Sequence, residues 1–137
     1  MITAVDTNVL LDVFTADPSF GQPSADALRD ARRRGALVAC EVVWAEVAAA
    51  FASRTRANDA LERLEIEFSA MHVTAAVDAG VNWRTYRSRG GPRDRIVPDF
   101  LVGAHAAFRA DRLLTRDRGF YRSHFTGLTV VDPSDGS

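Results

Sequence analysis

Lysine is absent from this chain, and all 17 basic residues are arginine. That excludes every chemistry needing a side-chain primary amine, including Schiff-base catalysis, a P-loop, and the phosphorylated receiver domain. Cysteine is nearly absent too. The single Cys40 can form no internal disulfide and has no thiolate partner for a zinc site, so it reads as a small buried hydrophobe. No apolar run approaches the roughly 18 residues of a membrane span, and the first residues read as a strand rather than a basic leader. A cytoplasmic protein is expected. Repeats and low-complexity segments are lacking as well. With 137 residues, 47% of them hydrophobic and 26% charged, the sequence suits one domain over residues 1–137.

A formal charge of −1 conceals a bipolar distribution. Residues 1–80 carry 7 Arg against 12 acids, whereas residues 81–122 carry 10 Arg against 4 acids. The basic part, with Arg84, Arg87, Arg89, Arg93 and Arg95 followed by Arg109 to Arg122, surrounds Asp99 and Asp117. Arginine forks suit phosphate geometry, although a solvated helix face in an arginine-rich composition explains the same pattern. The near-zero total argues against a protein that coats DNA.

Hydrophobic periodicity and breakers predict strands alternating with helices. Strands are expected at Ile2 to Asp6, Leu37 to Cys40, Met71 to Val73, Leu113-Leu114 and Leu128 to Val131. Helices are expected from Thr7 to about Phe14 with Asp6 as N-cap, from Pro23 to Arg34 before Gly35, and from Glu41 to about Ser53. Further helices run from an Asn58 cap to Phe68, from Thr74 to Arg89, from Pro98 to Phe108, and from Gly119 to Phe125. Such alternation marks a three-layer α/β/α domain with helices on both faces of a parallel sheet.

Four carboxylates fall where a strand gives way to a helix or within the turns that follow: Asp6, Glu46, Asp99 and Asp117. In a parallel sheet those positions line one crevice, the usual ligand site of such folds. Two carboxylates about 4 Å apart repel by roughly 4 kcal/mol at an effective dielectric near 20, so a converging set calls for a cation. A hard ion, Mg²⁺ or Mn²⁺, matches all-oxygen ligands and points to phosphate chemistry. Each acid also has a plainer explanation. Asp6 serves equally as an N-cap, Asp99 as a first-turn acid and Asp117 as a turn former. Glu46 differs, because it lies about 60° from Val43 on the helical wheel, on the flank of the stripe Val43, Val47, Ala50 and Phe51. Glu41 lies about 140° from Glu46 and reads as a first-turn dipole partner.

The runs Asp6-Thr7-Asn8-Val9-Leu10-Leu11-Asp12, Ala45-Glu46-Val47, Pro98-Asp99-Phe100-Leu101-Val102-Gly103-Ala104-His105-Ala106 and Leu113-Leu114-Thr115-Arg116-Asp117-Arg118-Gly119-Phe120-Tyr121 resemble the PIN-domain ribonucleases, in particular VapC-type toxins of bacterial toxin–antitoxin pairs. The resemblance spans essentially the whole chain in order and spacing. It implies a PIN-like parallel-sheet fold and a Mg²⁺- or Mn²⁺-dependent endoribonuclease with Asp6, Glu46, Asp99 and Asp117 as catalytic metal ligands. It further implies a small antitoxin that blocks the site. Asn8 and Thr115 would orient ligands or the scissile phosphate, and Arg93, Arg95 and Arg116 are further candidates for orienting substrate. Where the family usually has Ser or Thr six residues before the helix glutamate, this chain has Cys40, which predicts a weaker helix cap. The antitoxin would lie in an apolar groove formed by the Thr7 to Phe14 helix and the helices around Phe51 and Leu64, on the acidic part of the molecule, which suits a basic peptide, and would send a basic residue toward the acids. A homodimer through the helices, and a hetero-oligomer with the antitoxin, are expected.

Other candidates read structurally. His105 and His72 have apolar neighbours and suit packing. His124, near Tyr121 and Arg122, could touch RNA but reads more simply as a surface residue; Trp44 and Trp83 read as helix or dimer packing, and Asp12 as a structural helix acid. Two alternatives stay open. A haloacid-dehalogenase-like phosphatase also begins with an aspartate after its first strand, but it wants a second acid where Asn8 stands and usually a lysine. A catalytically inactive PIN-like binding module is the other, and metal-dependent cleavage separates it from an enzyme.

Overall fold

The computed structural model describes residues 1–92 and 97–135. Five short strands, β1 (Thr3–Val5), β2 (Leu37–Ala39), β3 (Ile66–Phe68), β4 (Arg112–Leu114) and β5 (Val130–Val131), pair in parallel in the order β3-β2-β1-β4-β5. Thr3, Ala4 and Val5 of β1 and Leu37, Val38 and Ala39 of β2 are all buried, which explains why these strands read as continuous apolar runs instead of alternating. Parallel pairing requires long crossovers, supplied by α1 (Thr7–Phe14), α2 (Gly21–Arg34), α3 (Glu41–Ala48), α4 (Arg54–Arg63), α5 (Val73–Ser88), α6 (Val97–Arg109) and α7 (Arg118–His124). The chain first travels from β1 out to β3, then returns to place β4 and β5 on the other side of β1. The order therefore reverses between β1 and β4. Carboxyl ends at such a reversal leave a crevice where crossovers diverge, and that is where open α/β sheets bind ligands.

Most element boundaries match the sequence expectation to within a residue or two, but three segments differ. The helix beginning at Glu41 stops at Ala48 rather than near Ser53; Val43 and Val47 are buried, while Ala50, expected on the same stripe, is exposed. Helix α4 starts from Ser53, not Asn58: Ser53 is extended (φ −148°, ψ 157°) and its Oγ accepts the Arg56 N–H at 3.2 Å, the geometry of an N-cap. It also ends five residues before Phe68. Glu65 adopts a left-handed φ of 57°, which breaks the helix, and Ile66–Phe68 then pairs with β2, Ile66 opposite Leu37. Sheet pairing thus overrides the helical spacing of Leu61, Leu64 and Phe68. The strand expected at Met71 to Val73 is not one. His72 is the extended N-cap of α5, and its Nδ1 accepts the Thr74 N–H at 3.0 Å.

His105 behaves as a packing residue, fully buried with Nε2 2.9 Å from the Ser69 hydroxyl. Cys40 occupies the N-cap of α3 without a side-chain cap bond, as its replacement of a hydroxyl residue suggests, and burial pushes its thiol pKa up. Trp44 stands edge-on to Phe68 at 5.3 Å, and Arg87 lies 4.2 Å over the Trp83 ring.

Candidate active site

Asp6 is the residue around which the crevice is built. It follows β1, its backbone N–H donates to the Leu114 carbonyl of β4, and its extended backbone (φ −79°, ψ 155°) starts α1. Only 8% of it is exposed. Oδ1 accepts the Thr7 N–H at 2.8 Å and Oδ2 accepts the Thr115 hydroxyl at 2.8 Å, with the Asn8 amide at 3.5 Å. Thr115 in turn accepts the Asp117 N–H at 3.0 Å, and the Asn8 Oδ1 accepts the Arg116 N–H at 3.2 Å. Thr115 and Asn8 therefore knit the end of β1 to the loop after β4.

The other acids approach from three helices. Asp99 lies partly buried in the first turn of α6, and Asp117 holds the N-cap position of α7 without a side-chain cap bond. Glu46 departs from expectation. It is exposed rather than held beside the core, because α3 turns Val43 and Val47 inward and leaves Glu46 outside them. Its Oε1 nevertheless accepts the Thr7 hydroxyl at 2.8 Å, which ties α3 to the start of α1.

Electrostatics link the group. Burial pushes the Asp6 carboxyl up to about 6; the hydrogen bonds from Thr115 and Thr7 oppose that rise, and the charges of Glu46 and Asp99 add to it. Tyr121, fully buried on α7, closes the last of the four motif runs, which gave it no role of its own. Its phenol pKa is driven up first by burial and then by Asp6, Asp99 and Asp117, so it borders three of the four acids. One signal was available: Tyr121 lies one helical turn beyond Asp117, and its backbone N–H points to the Asp117 carbonyl at 3.4 Å.

Arg116, expected to orient substrate, has a different partner. Its Nε and Nη2 grip the buried Asp12 carboxylate at 2.6 and 3.0 Å, and its guanidinium lies 4.1 Å over the Phe20 ring. Ser24 donates to the same carboxylate at 2.9 Å, which makes Asp12 the structural helix acid its position suggested. Arg93 and Arg95 lie outside the described residues. A cavity of about 740 Å³ between α2 and the residues after β5 holds none of the four acids.

The family model of the PIN domain matches residues 3–125. The chain belongs to the PIN-domain family. Solved structures of similar fold include VapBC2 from Rickettsia felis bound to a DNA fragment from their promoter (TM-score 0.75, 17% identity, covering 96% of this chain and 98% of that one). VapBC-1 from nontypeable Haemophilus influenzae gives a TM-score of 0.74 at 20% identity, covering 98% and 99%. A toxin–antitoxin complex from Klebsiella pneumoniae gives 0.67 at 21%, covering 96% and 97%. No curated protein matches the chain. Membership of the PIN family removes the phosphatase alternative. No helix among the described residues is long and apolar enough to cross a membrane.

PIN domains generally use divalent metal ions, and the donor chemistry of this PIN domain fits one. Carboxylates, a hydroxyl and an amide supply oxygen ligands of the kind hard cations take, and an Asp6 that burial and two neighbouring acids disfavour as an anion gains from nearby positive charge. Among the described residues, no three Asp, Glu, His or Cys side chains already stand in an arrangement that could hold an ion. The acids are electrostatic neighbours rather than a finished cage.

A pH dependence follows. The folded Asp6 value, about 6, lies above the ordinary 3.8, so its contribution to stability is complete below pH 3.8 and is lost as the pH rises through about 6. Asp6→Asn carries no such charge. Without divalent ions, denaturant unfolding is expected to show the variant gaining about 2 kcal/mol on wild type between about pH 4 and about pH 7.5. A gap independent of pH would mean that Asp6 bears no desolvation penalty.

Proposed function

We propose that this PIN domain is a Mg²⁺- or Mn²⁺-dependent endoribonuclease and the toxin of a toxin–antitoxin pair. The observation that carries the reading is a buried aspartate at the topological switch of a PIN fold, its carboxyl raised to about 6 with two further acids contributing. Asp6, Glu46, Asp99 and Asp117 would hold the ion or ions. Bound there, a divalent ion supplies Lewis-acid charge at the phosphoryl oxygens and acidifies the attacking water.

The chain's own residues provide placement. Thr7 N–H and the Thr115 hydroxyl fix both oxygens of Asp6, and Asn8 holds the turn that carries Asp117. Tyr121 is buried beside Asp6, Asp99 and Asp117. Because water is the nucleophile, the 2′-hydroxyl is not consumed, and products with a 5′-phosphate and a 3′-hydroxyl are expected. Choice of RNA over DNA then rests on shape and 2′-hydroxyl contacts.

The antitoxin reading is supported by neighbours that are themselves toxin–antitoxin complexes. The apolar surface expected for such a partner has a counterpart: Phe14 and Phe51 meet edge-on at 5.3 Å, and Val13, Leu28 and Leu64 line a cavity of about 190 Å³. Its rim is not the acidic one expected, since Arg29, Arg32 and Arg63 border it against Glu65 alone. A partner segment with apolar anchors and acidic flanks fits better than a basic one. For the homodimer, α5 offers Val73, Val77 and Val81, 70%, 61% and 58% exposed on one face.

Purified protein incubated with total RNA is expected to cleave it with Mg²⁺ or Mn²⁺ and not with excess chelator. Co-expression with a small adjacent reading frame is expected to yield a complex that is inactive. No cleavage under any divalent ion removes the enzyme and leaves a binding module; a co-purified neighbour that does not inhibit removes the toxin reading alone.

A further inference from the structure

We propose that the cavity between the C-terminal end of α5 and the end of α7 receives a base of the RNA strand beside the scissile phosphate, an assignment that rests on the nuclease reading above. The cavity measures about 490 Å³ and is lined by Asn82, Tyr86, Arg89, Gly91, Ser123 and His124 among others. That volume lies within the range of small-ligand sites.

Its wall is preformed. Tyr86 is buried, and its hydroxyl donates to the Pro92 carbonyl at 2.7 Å. Gly91 closes against the same ring so tightly that a Cβ there would stand 2.5 Å from a ring carbon. The His124 ring is held edge-on to Tyr86 at 5.1 Å and close to Phe120 at 5.0 Å, yet the residue remains exposed at the cavity. A fixed, partly open aromatic ring is the surface on which an unstacked base packs.

The polar lining suits edge recognition as well. The Asn82 amide offers a donor and an acceptor, Ser123 offers a hydroxyl, and Arg89 supplies positive charge for the strand's phosphate. No carboxylate belongs to the described lining, in contrast to the cavity beside α2, where Asp26, Asp30, Asp132 and Asp135 outnumber Arg33 and Arg112. By charge, the described lining of the smaller cavity suits a polyanion better than that of the larger one.

Position joins the cavity to the acids. Tyr86 and His124 both lie against Phe100, at 5.4 and 6.2 Å, and Phe100 follows Asp99. At the other side, α7 separates His124 from Asp117 by only about 10 Å of helix. A strand with one phosphate among the acids can thus present an adjacent base here.

Two measurements test this. Nucleoside 5′-monophosphates of the four bases are titrated in the presence of chelator and followed by NMR at the Asn82 side-chain amide and the His124 ring, with ribose 5-phosphate as control. Expected is a response to at least one base that exceeds the control and is lost in Asn82→Ala and His124→Ala. An equal response to ribose 5-phosphate, or none at millimolar concentration, overturns the base pocket. The second measurement maps cut sites on total RNA. A preference of about tenfold at one position near the cut is expected in wild type and is expected to flatten in His124→Ala. An identical cut pattern in both proteins overturns the proposal. If wild type cuts nothing while the nucleotide titration responds as expected, the nuclease reading fails and the base site stands.

Discussion

Asp6→Asn and Asp99→Asn are each expected to stay folded and to lose RNA cleavage by at least about 10³-fold, the equivalent of several kcal/mol of transition-state stabilisation. Each substitution removes one negative charge at almost constant volume. For Asp6 the structural contacts persist in kind, because an asparagine oxygen still accepts from Thr7 or Thr115. The same variant is expected to be the more stable protein at neutral pH without divalent ions, since its parent carries a desolvated carboxylate. Greater stability with lost activity is the pattern of a residue selected for chemistry over folding. Full cleavage by Asp6→Asn free of wild-type contamination would end the metal-site assignment. Unfolding of the variant would show that Asp6 acts chiefly as a helix cap.

The largest stability effect is expected from Arg116→Ala, a loss of about 2–4 kcal/mol. The Asp12 side chain is only 5% exposed and Arg116 31%, so truncating the arginine leaves a buried carboxylate with the Ser24 hydroxyl as its remaining side-chain donor. Arg116→Lys should recover little, because a point charge cannot reproduce the two-pronged grip or the stacking on Phe20. Thermal or denaturant unfolding decides it. If Arg116→Ala keeps wild-type stability and instead weakens RNA binding, the arginine is a substrate contact after all.

Legibility in the sequence followed the range of the interactions. Asp6 as a cap, Gly35 after α2 and Pro98 in the first turn of α6 are local signals, and the elements they mark fall where expected. Strand β3 is illegible locally, because Ile66–Phe68 is a strand only by virtue of β2 while Leu61, Leu64 and Phe68 keep helical spacing. The positions of Asp6, Asp99 and Asp117 at strand ends and helix starts were readable. The exposure of Glu46 was not, because it depends on how α3 packs, with Val43 and Val47 turned inward. Arg116 was assigned by charge alone, and its partner lies 104 residues earlier. The burial of Tyr121 beside the acids is a matter of tertiary packing that its place in the motif run does not disclose.

The hydroxyl of Thr115 and the carboxylate of Asp6 are 109 residues apart in the chain, and that separation has a bearing on timing during synthesis. A ribosome adding about 5–20 residues per second needs about 5–20 s after making β1 to supply β4. Until then Asp6 lacks its hydroxyl donor, and the central strand waits with one edge unpaired. Low-separation contacts such as α1 with α2 and α5 with α6 can form early, but the acid crevice belongs to the last, slowest-closing contacts of the fold. A nascent chain thus completes the proposed catalytic crevice only when folding is nearly done.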